Sequence, residues 1–226
     1  MSSSTVEVLD ANIVVVLSTL LTRIAAASLF ESDELKPYMK GVSVGQGLQL
    51  DTTSGALGPV FAFESMRSQR AVNIGPNRIE VHERSGKLDF DSDDLAFILG
   101  FLVQRLEASV SNVGTNLEVT FTLPGEQTAA EAIAEKLFRQ GTGHIPEETQ
   151  PAGGAGRIFL KGAGNVRYTV FIEPRLNNPE TREIWMTSNA NIVTAEMPTP
   201  QELAELVRQN VRVMKQVAIS LFSVSW

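Results

Sequence analysis

Ser43 lies in Gly41-Val-Ser43-Val-Gly45, the G-x-S-x-G spacing that lifts a serine hydroxyl onto a sharp strand-to-helix turn. There the serine attacks an acyl carbonyl, a histidine takes its proton, and an acid orients the histidine. His82 or His144, the two histidines of the chain, could complete such a set. The flanks run the wrong way round. Glu34 to Met39 is helix-like and precedes the serine, and Leu48 to Asp51 is strand-like and follows it. The plainer reading is a flexible lead-in to a strand, and a serine hydrolase-like enzyme around Ser43 stays an alternative.

Other residues could do chemistry but lack the spacing for it. Asp89-Phe-Asp91-Ser-Asp93-Asp94 resembles the start of a calcium loop, yet Asp94 stands at the glycine position and Gly100 where the closing acid belongs. Acids there suit a helix N-terminus, where the backbone dipole favours negative charge. Gly45-Gln-Gly47 and Gly153-Gly-Ala-Gly156 lack the lysine of a phosphate-binding loop and read as turns. His82 alternates with Arg78, Glu80 and Arg84, which puts it on the polar face of a strand. His144 sits in a Pro/Gly-rich loop, His144 to Gly156. Glu64 and Glu173 end corresponding strands, where carboxylates are ordinarily solvated. No cysteine is present, so disulfides, thiolate metal sites and cysteine nucleophiles are excluded. No metal and no cofactor is expected, and no catalytic residue is assigned.

The 226 residues carry a formal charge of −7. Residues 1–110 hold 9 basic and 14 acidic side chains, and residues 111–226 hold 10 and 12. Without a basic stripe, nucleic acid is not the expected partner. The opening Met1 to Asp10 has no positive charge, so it does not read as a secretory signal. Ile13 to Phe30 is apolar-rich but contains Arg23, so no membrane span is expected and the cytoplasm is the expected compartment.

The elements that would position any site follow a weak internal repeat offset by about 108 residues. Asp91 to Asp94 precedes Leu95, Ile98, Leu99, Leu102 and Leu106, and Thr199 to Glu202 precedes Leu203, Leu206, Val207, Met214 and Leu221. Both read as capping boxes opening long helices, with Pro200 at a tolerated first position. Leu117 to Leu123 alternates as a strand, and so does Leu9 to Val15. Helical spacing also permits one helix from Asp10 to Phe30. Ala129 to Phe138 reads as a helix, matched by Leu20 to Phe30. Hairpins are expected at Leu48–Asp51 with Val60–Glu64, and at Arg157–Leu160 with Arg167–Glu173. A further strand follows in each copy: Ala71 to Val81, interrupted at Gly75-Pro76-Asn77, and Glu183 to Val193.

The expected class is therefore α+β, a tandem duplication of a strand–helix–(three or four antiparallel strands)–long helix unit. The repeats are placed at 1–110 and 111–226, joined around Ser109 to Gly114 and packed as one compact body. The run Gln69 to Val81, the helix Asp91 to Glu107, and the duplicate ending in a long helix resemble a sporadically distributed family of uncharacterised bacterial proteins. Ile74-Gly-Pro-Asn77 is the nearest thing to a shared motif. The doubled unit also resembles the TATA-box-binding-protein-like fold, a saddle of two strand–helix–sheet–helix repeats. That resemblance implies architecture alone, and the acidic charge speaks against DNA binding by the sheet.

With no convergent catalytic set, the function expected is non-catalytic macromolecular interaction or assembly through antiparallel sheet faces and long helices. The expected partner is a second copy or another protein. Arg182, Trp185 and Trp226 are the candidate binding residues, because an exposed tryptophan beside an arginine makes an interaction anchor. The apolar end Leu221 to Trp226 suits a docked tail or a subunit contact. A carrier of a small apolar ligand between sheet and helices is the alternative to the binding module.

Overall fold

The computed structural model describes residues 5–21, 33, 43–50, 57–65, 69–86, 93–138 and 154–226. In chain order these form β1 (Glu7–Leu17), β2 (Ser43–Leu50), β3 (Leu57–Ser65), β4 (Arg70–Ile74), β5 (Arg78–Glu83), helix α1 (Asp93–Arg105) and β6 (Val110–Thr122). Helix α2 (Ala129–Ile133) follows and runs into a π-helical turn, Ala134–Phe138. Then come β7 (Gly156–Lys161), β8 (Arg167–Pro174), β9 (Glu183–Val193) and the long helix α3 (Pro200–Phe222). The class is α+β with antiparallel strand pairs, and the order strand, several strands, long helix recurs in the second half. Residues 22–30 of the candidate helix Leu20 to Phe30, the capping acid Asp91 and residues 144–153 of the loop His144 to Gly156 lie outside the described residues.

The chain forms two compact units that exchange segments and so do not coincide with 1–110 and 111–226. The amino-side unit is Asp10–Asn116 with Asn191–Arg208, and the carboxyl-side unit is Met1–Leu9, Leu117–Ala190 and Gln209–Trp226. In the amino-side unit the strand order is β2-β3-β4-β5-β1, then the first half of β6. In the carboxyl-side unit it is the second half of β6, then β9-β8-β7.

β1 is a strand and not part of a long helix, since Ala11, Ile13, Val15 and Leu17 are buried on alternate positions. Opposite Ile13 and Val15 stand Val81 and Ile79 of β5, also buried. Leu99, Leu102 and Val103 of α1 and Leu203, Leu206 and Val207 of α3 complete this core. Residues 71–81 make two strands where the sequence suggests one broken strand. At Gly75–Asn77 the chain reverses, with Gly75 N–H donating to the Arg78 carbonyl at 2.8 Å, and β4 pairs antiparallel with β5. Proline lacks the N–H a continuing ladder would need, so the break becomes a turn.

The expected join at Ser109 to Gly114 lies mostly inside β6, which already begins at Val110. Ser18 N–H donates to the Ser109 carbonyl at 2.8 Å, and the Ser111 hydroxyl to the Val16 carbonyl at 3.2 Å. These partners, distant in sequence, make a strand of residues whose own strand preference is weak.

The carboxyl-side core combines Leu117, Val119 and Phe121 of β6 with Val170, Ile172, Ile184 and Met186. Ala129, Ala130, Ala132 and Ile133 of α2 are buried, and α2 packs on β8. Small side chains let that helix approach the strand closely. On α3 the buried residues Met214, Ala218 and Phe222 fall four apart, and the Phe222 ring lies 5.6 Å from that of Phe121. Phe222, rather than Leu221, closes the buried stripe. Each fully buried apolar side chain of this size contributes about 1.5–3 kcal/mol.

Candidate functional site

Among the described residues, two groupings of polar and aromatic side chains occur, each on the sheet face away from its unit's alternating buried residues. In the amino-side unit, register puts Asn12, Val14 and Val16 of β1 beside His82, Glu80 and Arg78 of β5. His82 Nδ1 lies 3.0 Å from Asp10 Oδ2, and its Nε2 lies 3.4 Å from Glu80 Oε2. Arg78 Nε approaches Glu80 at 3.1 Å, and Arg84 Nε approaches Asp10 at 3.6 Å. The His82 side chain is only 12% exposed, so it is not the solvated surface histidine that alternation alone suggests.

The network holds its own charges. Burial alone would lower the His82 pKa, but hydrogen bonds and charge from Asp10 and Glu80 outweigh it and raise it to about 9. Burial would raise Asp10, but the His82 hydrogen bond and charge, with Asn12 and Arg84, hold it below its ordinary value. Glu80 is held low first by its His82 hydrogen bond, against burial. Both ring nitrogens thus face carboxylates, and neither is left to take a proton from a nucleophile.

Ser43 opens β2, with a strand and not a helix after it. Register sets it opposite Glu64, Glu64 opposite Ala71, and Ala71 opposite His82. Three strand spacings of ~4.8 Å put Ser43 about 14 Å from His82, beyond any serine–histidine hydrogen bond. Among the described residues no group of His, Asp and Glu is arranged to hold a metal ion. Among them, too, no helix is long and apolar enough to cross a membrane.

In the carboxyl-side unit the open face is aromatic, with cations on β7 and at the start of β8 and the carboxylates of Glu118, Glu173 and Glu183 further across it. β7 pairs β8 with Arg157 opposite Phe171, Phe159 opposite Thr169 and Lys161 opposite Arg167. The Arg157 guanidinium stands 5.7 Å from the Phe171 ring centroid. Phe171 meets Trp185 of β9 edge-on, centroids 6.1 Å apart at 77°. Trp185 is half-buried, and its Nε1–H donates to Glu118 Oε1 at 2.6 Å, which fixes the indole in the face. Phe159 is 73% exposed. The hairpin turn behind these residues needs two glycines. Gly164 has φ +62°, and a Cβ on Gly162 would lie 2.6 Å from the Tyr168 ring.

Of the three expected binding residues, Trp185 lies in this face. Arg182 stands at its margin, its Nη2 donating to the Leu123 carbonyl at 2.6 Å, so the guanidinium secures the end of β6. Trp226 ends a docked tail in which Phe222 and Val224 are buried and Ser225 bridges Thr5. Sequence reasoning missed Phe159 and Phe171. Part of the signal was available: Phe171 alternates with the core residues Val170 and Ile172, and the hairpin register then sets Arg157 opposite it and Phe159 on the same face.

No family model matches the chain, and no curated protein matches it. Among solved structures it is similar to the TBP of Methanococcus jannaschii, with 10% identity, a TM-score of 0.32, and coverage of 97% of this chain and 99% of that one.

Proposed function

We propose that this protein is a non-catalytic interaction protein that binds another protein through the open face of β7, β8 and β9. The observation that supports this reading is Phe159, a large aromatic 73% exposed beside an ordered Arg157–Phe171–Trp185 row. Exposing such a ring to water is unfavourable by roughly 1.5–3 kcal/mol relative to covering it. Aromatic and arginine side chains held rigid by neighbours are the types that dominate protein interfaces. The two groups with the strongest catalytic potential, Ser43 and His82, are separated by three strand spacings, and His82 is engaged by Asp10 and Glu80.

The test uses the full chain and its Phe159→Asp variant side by side. A protein captured by the first is identified, purified and titrated against both. The expected result is at least tenfold weaker binding by the variant, with unchanged thermal unfolding. Equal affinity for both chains overturns the reading.

A further inference from the structure

β7 ends the strand order of its unit, and among the described residues no strand pairs its outer edge. In an antiparallel ladder half of a strand's N–H and C=O groups point away from the partner strand. Six residues at ~3.4 Å each therefore offer an edge about 20 Å long. Arg157, Phe159, Leu160 and Lys161 are all exposed on it. The open face of β7 thus reads cation, ring, cation, at intervals of ~7 Å. Across the hairpin, Lys161 sits directly opposite Arg167. Two cations so placed repel, and an anion between them relieves the repulsion.

That charge pattern chooses between occupants. A second copy pairing antiparallel with Phe159 opposite Phe159 would set Arg157 against Lys161 at both ends, like against like. A nucleic acid strand would find phosphate-attracting cations but no use for an unpaired backbone edge. An acidic polypeptide strand satisfies backbone, ring and cations together. Resting on the interaction reading above, we infer that β7 accepts an extended partner segment of the pattern acid–x–apolar–x–acid as an added strand. Carboxylates would meet Arg157 and the Lys161–Arg167 pair, and the central side chain would cover Phe159.

The probe is a blocked, fluorescein-labelled decapeptide centred on Glu-Val-Phe-Val-Glu, titrated into the full chain at low salt. Expected is saturable binding, at least tenfold weaker for the Lys-Val-Phe-Val-Lys counterpart and for a peptide N-methylated on alternate core amides. Hydrogen exchange should slow across 156–161 when the peptide is bound. The double reversal Arg157→Glu with Lys161→Glu should invert the preference toward the lysine peptide. Equal binding of the acidic and basic peptides, indifference to N-methylation, or tighter binding of a ten-nucleotide oligothymidylate each overturns strand addition. Should the captured partner depend on Phe159 while the β7 amides gain no protection with it, the interaction reading stands and strand addition alone falls. Should that partner ignore Phe159→Asp, the interaction reading falls first.

Discussion

Asp10 and His82, 72 residues apart in sequence, meet at 3.0 Å on neighbouring strands, and Glu80 closes on the far side of the same imidazole. The sandwich makes the ring a permanent cation at neutral pH. It stabilises the polar face of the sheet by pairing charges that partial burial would otherwise penalise.

A specific pH profile results. The His82 pKa is raised from 6.5 to about 9, so its contribution to stability is complete below pH 6.5 and is lost as pH rises through 9. Asp10 and Glu80 are lowered from 3.8 and 4.5, so their contribution is present above those values and is lost as pH falls through the depressed ones. Urea unfolding of the wild type should weaken between pH 6.5 and 9.5 by about 1–2 kcal/mol, discounted for solvent screening. His82→Gln should flatten that limb. An undiminished slope in the variant would assign the loss to other groups.

Helix α2 depends on a cap. Thr128 Oγ1 accepts from Glu131 N–H at 3.2 Å, while the Glu131 carboxylate accepts from Thr128 N–H at 2.9 Å. A helix this short cannot sustain itself without its ends satisfied. Thr128→Ala should cost about 1 kcal/mol in chemical denaturation, and Thr128→Ser should restore most of it.

How much was legible depends on the range of the interactions. The Thr199–Glu202 capping box was read from spacing alone and is present, with Glu202 accepting from Thr199 N–H at 2.8 Å. Alternation pointed to β1 and to the second half of β6, because burial on one sheet face imposes it, and the glycines of the turn pointed to the β7–β8 hairpin. Thr128 needed the same spacing rule and went unused. The start of β6 was misplaced because Ser111 and Asn112 are weak strand formers held by Val16 and its neighbours, which no local pattern reveals. The His82 pairing was invisible for the same reason: alternation gives the face, but only register brings β1 beside β5. The candidate tryptophans divided on context, since Trp185 and Trp226 look alike until Glu118 and the bridge at Ser225 are placed.

The β7–β8 turn is sterically tight at one atom. A methyl group on Gly162 would lie 2.6 Å from the Tyr168 ring, and that side chain is tied by its hydroxyl, which donates to Gln209 Oε1 at 3.2 Å. The ring cannot yield without losing this bond. Gly162→Ala should therefore destabilise by about 1–3 kcal/mol, measured by thermal or urea unfolding. In a Tyr168→Leu background the two penalties should add to less than their sum, since the clash partner is gone.

Phe159 and Trp185 should separate in their effects on folding and on binding. Phe159 is mostly in water, so Phe159→Ser should change unfolding by no more than about 0.5 kcal/mol. Trp185 packs against Phe171 and donates to the Glu118 carboxylate at 2.6 Å, so Trp185→Phe strands an acceptor in a half-buried site. That change should cost about 1–2 kcal/mol. The cycle of Trp185→Phe with Glu118→Ala should show a coupling of roughly 1 kcal/mol, because removing either partner already breaks the bond. A coupling near zero would mean the indole is held by packing alone. Binding should follow the opposite order, with Phe159→Ser the more damaging. Phe159 offers the surface a partner covers, whereas Trp185 is held in the same face, two strands away, by Phe171 and Glu118.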